Sequence, residues 1–143
     1  MPAPISLEAA RAELAAGRVT SAALTASALQ RIADPSGEGA RTFTRVQHLA
    51  RASDSLREAG LVRSPLEGLP VSVKDLFDVA GEPTTAGSVV LRDAPPATHD
   101  AEAVQRLLSA GAVLVGKTNM TEFAYSGLGL NPHYGTPANP WQR

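Results

Sequence analysis

One stretch of the sequence places a strand, a loop, a helix and a second strand in direct succession. Residues 70–74 (Pro-Val-Ser-Val-Lys) are rich in β-formers, and residues 112–115 (Ala-Val-Leu-Val) form an apolar run. Between them, four apolar residues recur at helical spacing: Ala101, Val104, Leu107 and Leu108. Asp100 is a candidate cap for this helix, and Gly111 ends it. A helix between two strands favours a right-handed crossover and a parallel pair, so the pattern predicts an α/β sheet covered by helices.

The residues on either side of this unit predict a largely helical beginning and a loop-rich end. The elements predicted before residue 70 are, in order, a helix capped by Ser6 and stopped by Gly17, a helix begun by Thr20 or Ser21, a strand over residues 42–46, and a helix over residues 49–60. Beyond the second strand, Asn119 and Glu122 have the spacing of a reciprocal helix cap. We therefore divide the chain into a helical lead-in, residues 1–60, and the start of a core, residues 61–143.

Composition excludes several classes of protein. The chain has no cysteine, which excludes disulfides, a thiol nucleophile and thiolate zinc sites. Its three histidines, His48, His99 and His133, lie on separate segments without the spacing of metal ligands. Thirteen basic residues against 14 acidic ones give a net charge of -1, which does not indicate a nucleic-acid partner. With no leader-like start and no apolar run near the ~20 residues of a membrane span, we predict a cytoplasmic protein.

Residues 111–118 match the letters of a phosphate-binding loop: glycine, four residues, glycine, lysine and threonine. That motif requires a loop between a preceding strand and a following helix, with amide hydrogens directed at phosphates. Here the four middle residues favour a buried strand, and a predicted helix precedes Gly111. We therefore disfavour a nucleotide-binding module, although loss of nucleotide binding on Lys117→Ala would support one.

Lys74 ends the first strand of the unit and is the main candidate for chemistry. Strand alternation places it on the same face as Ser72 and opposite Val73. Most lysines are solvated surface charges, but a lysine amine that is buried favours its neutral form, which can take a proton from a hydroxyl. Ser72 is a poor nucleophile candidate, because it lacks the Gly-rich turn that supplies oxyanion donors. We interpret Ser72 as structural.

Four motifs, in this order and spacing, closely resemble the amidase-signature family. They are Gly68-Leu69-Pro70-Val71-Ser72-Val73-Lys74-Asp75, Thr84-Thr85-Ala86-Gly87-Ser88, Gly116-Lys117-Thr118-Asn119-Met120-Thr121-Glu122-Phe123-Ala124, and Gly135-Thr136-Pro137-Ala138-Asn139-Pro140-Trp141. The resemblance is strongest from Gly68 to Trp141. It implies a mixed β-sheet between helix layers, of which this chain carries the N-terminal part.

The resemblance also implies a chemistry: cleavage of a carboxamide C–N bond through an acyl-enzyme, with no metal or cofactor. The family uses a nucleophilic serine, a serine held by a cis peptide, and a lysine that corresponds to Lys74. Lys117 corresponds to a position of structural or supporting role. The loop after Phe123 is similar to the segment that lines the acyl pocket, which makes four residues candidate substrate contacts: Ala124, Tyr125, Ser126 and Gly127. The alternative for Tyr125 is a partly buried aromatic whose hydroxyl has a local partner.

In the family, a Gly-Gly-Ser-Ser-rich segment follows the Asn-Pro-Trp run and supplies both serines and the oxyanion donors. The chain stops at Arg143 before such a segment, so we expect it to be truncated and inactive alone, with amide hydrolysis in a full-length parent. A glutamyl-tRNA amidotransferase A-type subunit, which releases ammonia from glutamine, is the alternative within the family. A non-catalytic half that only supports the folding of a partner is a further one. The expected partners are a small-molecule amide and either a second copy of the chain or amidotransferase subunits.

Overall fold

A computed structural model of the protein describes residues 6–46 and 51–139. In chain order its elements are α1 (Leu7–Ala15), α2 (Ser21–Ala33), α3 (Gly39–Thr42), β1 (Phe43–Val46), α4 (Arg51–Glu58), β2 (Pro70–Lys74), α5 (Glu102–Ser109), β3 (Val113–Thr118) and a single 3₁₀ turn at Glu122–Ala124. Residues 49–50 and 140–141, which carried parts of the predicted third helix and of the fourth motif, lie outside the described residues, as does His48.

The three strands form one mixed sheet in the order β1-β3-β2. β3 is central and buried over Val113–Lys117; it pairs parallel with β2 and antiparallel with β1. The predicted α/β class, the mixed sheet and the parallel pair are therefore confirmed. β3 runs further than the apolar run that predicted it, through Lys117 to Thr118, because both residues pair with β2.

Two apolar clusters hold the helices to this sheet. α5 covers one side through a core of four buried residues: Val73, Val79, Val104 and Leu114. α1 packs its buried Ala10 and Leu14 on Leu69, just before β2. A polar contact reinforces the helical lead-in, because the Asp54 carboxylate of α4 accepts two backbone N–H groups at the start of α2, at 2.6 and 2.8 Å. Such contacts satisfy donors that the first turn of a helix leaves free.

The helix caps show where local patterns predict correctly and where they fail. Ser6 and Thr20 cap α1 and α2 as predicted, each accepting the N–H of the residue three positions later. The predicted Asp100 cap is wrong: α5 begins after Ala101, and the Asp100 carboxylate instead accepts the N–H of Ala80 at 2.7 Å.

The reciprocal cap of Asn119 and Glu122 is also wrong. The Asn119 amide donates to the carbonyl groups of Arg41 and Gly135, at 2.9 and 2.8 Å, and Glu122 binds side chains of other segments. No α-helix follows within the residues described up to 139, only the 3₁₀ turn, within which Phe123 has a φ of 51°. The short helix α3 was not predicted; it ends at Thr42, the first residue of the predicted strand, and β1 begins one residue later, at Phe43.

Among the helices of residues 6–46 and 51–139, none is both long and apolar enough to cross a membrane.

Candidate active site

Lys74 lies at the carboxyl end of β2, on the edge of the sheet where β3 also ends. The residues of β2 alternate as predicted, with Val73 buried and Ser72 and Lys74 exposed. Within the described part of the chain, no group forms a hydrogen bond or ion pair with the Lys74 amine. The described residues therefore leave this amine uncommitted and accessible, whereas the sequence pattern had allowed for a buried one.

The residue after Lys74 forms a buried ion pair with β3. Asp75 is 1% exposed and Lys117 is 0% exposed, and the Asp75 Oδ1 and Lys117 Nζ atoms lie 3.0 Å apart. Lys117 also donates to the Pro83 carbonyl at 3.1 Å and to the Thr84 hydroxyl at 2.9 Å. An ammonium group has three N–H donors, and here each has an acceptor. Lys117 is thus a fully bonded structural cation.

The same geometry argues against a phosphate-binding loop at residues 111–118. Residues 113–118 are a central strand whose N–H groups serve the sheet, and α5 precedes them. Lys117, the lysine of the motif, forms its ion pair with Asp75. The described residues therefore offer no cradle for phosphate at this position.

The residues of the motif Thr84–Ser88 have structural tasks at this edge. Thr84 accepts from Lys117, and the Thr85 hydroxyl donates to the Asp75 carboxylate. Gly87 has a φ of +66°, and a Cβ there would lie 2.6 Å from the Met120 carbonyl oxygen. Only glycine allows so close an approach of two backbones. The motif therefore packs one loop tightly onto another.

Two backbone hydrogen bonds connect the lysine end of β2 to the loop after Phe123. The N–H of Ala86 donates to the Asp75 carbonyl at 2.9 Å, and the N–H of Phe123 donates to the Ala86 carbonyl at 2.8 Å. Ala86, Phe123 and Ala124 all have positive φ values, of 51°, 51° and 55°. Non-glycine residues in this region carry strain and are found preferentially at functional sites.

The four candidate substrate contacts lie immediately beyond this junction. Ala124, Tyr125, Ser126 and Gly127 are all exposed, and Tyr125 is 94% exposed. The alternative interpretation of Tyr125, as a partly buried aromatic, is therefore wrong for the described residues. The structure brings this segment and Lys74 to one edge, although they are far apart in sequence.

A buried asparagine fastens the far end of the same loop. Asn131 is 3% exposed, and its amide group donates to the carbonyls of Gly87 and Met120, each at 2.7 Å. Its side-chain oxygen accepts the N–H groups of His133 and Tyr134. All four hydrogen-bonding positions of this amide are used. The sequence does not predict this role of Asn131, because nothing in its neighbourhood marks it as buried.

Glu122 fastens the near end of the loop. Its carboxylate accepts the hydroxyl of the buried Ser88 at 2.6 Å and lies 3.1 Å from Nε2 of His133. The Ser88 hydroxyl, and then the His133 ring, hold the pKa of Glu122 below its ordinary value of 4.5, against an opposing effect of desolvation. Residues 123–130 therefore form an exposed loop with two anchored ends.

The lowered pKa of Glu122 predicts how this anchor depends on pH. A carboxyl group with a depressed folded-state pKa stabilises the fold above its unfolded pKa and loses that contribution as pH falls through the folded value. We expect Glu122→Gln to lower the melting temperature at pH 7. The difference in melting temperature from the unsubstituted protein should shrink below a pH of about 4.5. Thermal melts of both proteins from pH 7 to 3 provide the measurement. A difference that stays constant over this range would contradict the assignment.

A model of the amidase family matches residues 23–143. The chain belongs to the amidase family. This confirms the resemblance predicted from the four motifs, all of which lie inside the matched range.

Among the residues that the structure describes, no three His, Cys, Asp or Glu side chains form a cluster that could hold a metal ion.

Two curated members of the amidase family show how much of such a protein the chain represents. The chain is 52% identical over 100 residues to AtzE, a 1-carboxybiuret hydrolase subunit of a Pseudomonas species, covering 70% of the chain and 22% of that protein. It is 40% identical over 141 residues to the A-type subunit of the glutamyl-tRNA(Gln) amidotransferase of Chloroflexus aurantiacus, covering 96% of the chain and 29% of that relative. The chain thus spans about a quarter of the length of these relatives.

Solved structures of amidase-family proteins have the same fold. One is described as an unexpected vestigial protein complex that reveals the evolutionary origins of an s-triazine catabolic enzyme; it has a TM-score of 0.87 and 41% identity, over 96% of this chain and 31% of that one. The peptide amidase PAM in complex with the competitive inhibitor chymostatin has a TM-score of 0.82 and 34% identity, over 98% and 31%. These comparisons confirm the amidase-signature fold class.

Proposed function

We propose that these residues are the front part of an amide hydrolase that cleaves a carboxamide C–N bond through an acyl-enzyme, with Lys74 as its general base. The observation that carries the proposal is the junction of Asp75, Ala86 and Phe123. It ties the strand that ends at Lys74 to the segment proposed to contact the acyl group, residues 124–127. Membership of the amidase family supports the same chemistry.

The chemistry assigned to Lys74 follows from what an uncommitted amine can do. In its neutral form it takes a proton, through an intervening serine, from the hydroxyl of the nucleophilic serine, whose oxygen then bonds to the amide carbon. When the C–N bond breaks, the resulting ammonium returns the proton to the leaving nitrogen, and water then hydrolyses the acyl-enzyme. We propose that both serines and the oxyanion donors come from a further segment of a longer protein. These 143 residues alone are then inactive.

Exposed apolar side chains around the site support the existence of such a further segment. Leu76 and Phe77 follow Lys74 and are 46% and 39% exposed; Leu128 and Leu130, in the anchored loop, are 76% and 56% exposed. Apolar surface of this kind usually marks an interface. We propose that residues 1–143 are the N-terminal part of one amidase domain, and that the remainder of the domain covers this edge.

The likeness to the A-type amidotransferase relative favours a second candidate function: release of ammonia from glutamine within a complex of partner subunits. The first function requires only a small-molecule amide and is compatible with a homodimer. Both are compatible with a cytoplasmic protein.

An ammonia-release assay on the full-length protein tests the proposal and separates its two versions. We expect the purified protein to release ammonia from simple primary carboxamides without any partner protein or nucleotide. A protein that cleaves no amide other than glutamine, and releases ammonia from it only when amidotransferase partner proteins are present, would instead support the amidotransferase function. Absence of amide cleavage under both conditions would contradict the proposed function.

A further inference from the structure

The backbone on both sides of Lys74 is attached to the end of β3. The N–H of Asp75 donates to the Thr118 carbonyl at 2.9 Å, and the Thr118 hydroxyl donates to the Val73 carbonyl at 3.3 Å. Lys74 itself carries an exposed side chain that no described residue binds. The position of its Cα is therefore set by the backbone contacts of Lys74 and its two neighbours, and not by its side chain.

Asp75, whose N–H makes the first of these attachments, also forms the buried ion pair with Lys117. This pair holds the adjoining loop as well. Lys117 bridges Asp75 to Pro83 and Thr84, while Thr85 donates its N–H and its hydroxyl to the Asp75 carboxylate. Both charges are buried, so neither can exchange its partner for bulk water. Removal of one partner leaves an uncompensated buried charge, which the surrounding loop must move to solvate.

We infer that the buried Asp75–Lys117 pair is a positioning element that fixes where the Lys74 amine lies relative to the reacting groups. The inference rests on the proposed function of Lys74 as base and later as acid. A proton-transferring group works only within about 2.6–3.2 Å of its target. A displacement of about 1 Å costs about 100-fold in rate. Neither Asp75 nor Lys117 is exposed enough to contact a substrate directly, so both act through Lys74.

A comparison of amide cleavage with cleavage of an activated ester distinguishes a positioning role of the pair from a purely structural one, because the two substrates have different leaving groups. An amine must be protonated as it leaves, whereas a 4-nitrophenolate leaves without a proton. A displaced Lys74 therefore impairs amide cleavage more than ester cleavage. A general loss of folded protein lowers both rates by the same factor.

The test compares a primary carboxamide with the 4-nitrophenyl ester of the same acid, using the full-length protein and its Lys117→Met and Thr85→Val variants. For Lys117→Met we expect kcat on the amide to fall about 100-fold with little change in KM. We expect the amide-to-ester ratio of kcat to fall at least about tenfold, because the ester loses only the base function. Thr85→Val, which removes one hydroxyl with little change in volume, should shift the ratio in the same direction by less.

Arg63→Met is the matched control, since it also breaks an ion pair to a buried carboxylate. Arg63 binds Glu67, which is 0% exposed, at 2.5 Å, just before the opposite end of β2 from Lys74. This variant should leave the amide-to-ester ratio unchanged even if it lowers stability.

The outcomes distinguish failure of the inference from failure of the proposed function. If both substrates lose activity equally in Lys117→Met and Thr85→Val, the pair is structural only and the inference is overturned, while the proposed function stands. If Lys117→Met does not fold, the ratio measured for Thr85→Val decides. A parent protein that cleaves the ester but no amide overturns the proposed function, and the inference with it.

Discussion

Replacement of Lys74 by alanine is expected to lower amide hydrolysis by the full-length protein by about 10²- to 10⁴-fold, the usual contribution of a general acid–base group. The fold should be retained, because no described residue binds the Lys74 amine. Single-turnover and steady-state rates on a primary carboxamide, together with a thermal melt, measure both effects.

Ser72→Ala is the matched control for this experiment. Ser72 lies two residues earlier on the same exposed face of β2. Its replacement should change kcat by less than about twofold, since Ser72 takes no part in the proposed proton transfer. Retention of full amide hydrolysis by Lys74→Ala would remove Lys74 from the role of base.

The second large effect is expected from Lys117→Met, measured as stability. The substitution leaves the Asp75 carboxylate buried without its cation and removes the bonds to Pro83 and Thr84. Breaking a buried pair in this way costs about 3–5 kcal/mol. Denaturant unfolding of the full-length protein should therefore show a large fall in the free energy of unfolding.

Arg106→Met is the control, because it breaks an ion pair between two exposed side chains, Arg106 and Glu102, on α5 and not at the proposed site. We expect it to alter the free energy of unfolding by no more than about 0.5 kcal/mol. The double variant Asp75→Asn/Lys117→Met should recover much of the lost stability, since neutral residues of similar size often replace a buried pair without cost. Equal stability of Lys117→Met and Arg106→Met would show that the pair contributes nothing.

The sequence was sufficient for the elements whose signals are local. The apolar spacing of α5, the apolar run of β3 and the caps at Ser6 and Thr20 each depend on residues within one or two turns. The class of fold followed, because a helix between two parallel strands has few ways to pack. Membership of the family followed from four motifs that lie in different strands and loops, so that no single helix or strand explains their order and spacing.

The errors arose where a distant partner competes with a local one. Asp100 could have capped α5, but its carboxylate is used by Ala80, 20 residues earlier. Asn119 likewise bonds to carbonyls 78 and 16 residues away. The burial of Asn131 and the pairing of Lys117 with Asp75 depend on contacts of the same kind. A pattern read along the chain carries no information about such partners.

Because the two anchors of residues 123–130 lie outside this loop, the residues within it can change with little effect on the stability of the protein. Glu122 and Asn131 bond to groups outside the loop, and the residues between them are exposed. A loop held in this way can change in sequence, or lengthen, at a small entropic cost. On the proposed assignment of residues 124–127 as acyl contacts, exchange of this segment alone should alter which acyl group is accepted, while the sheet and Lys74 stay in place.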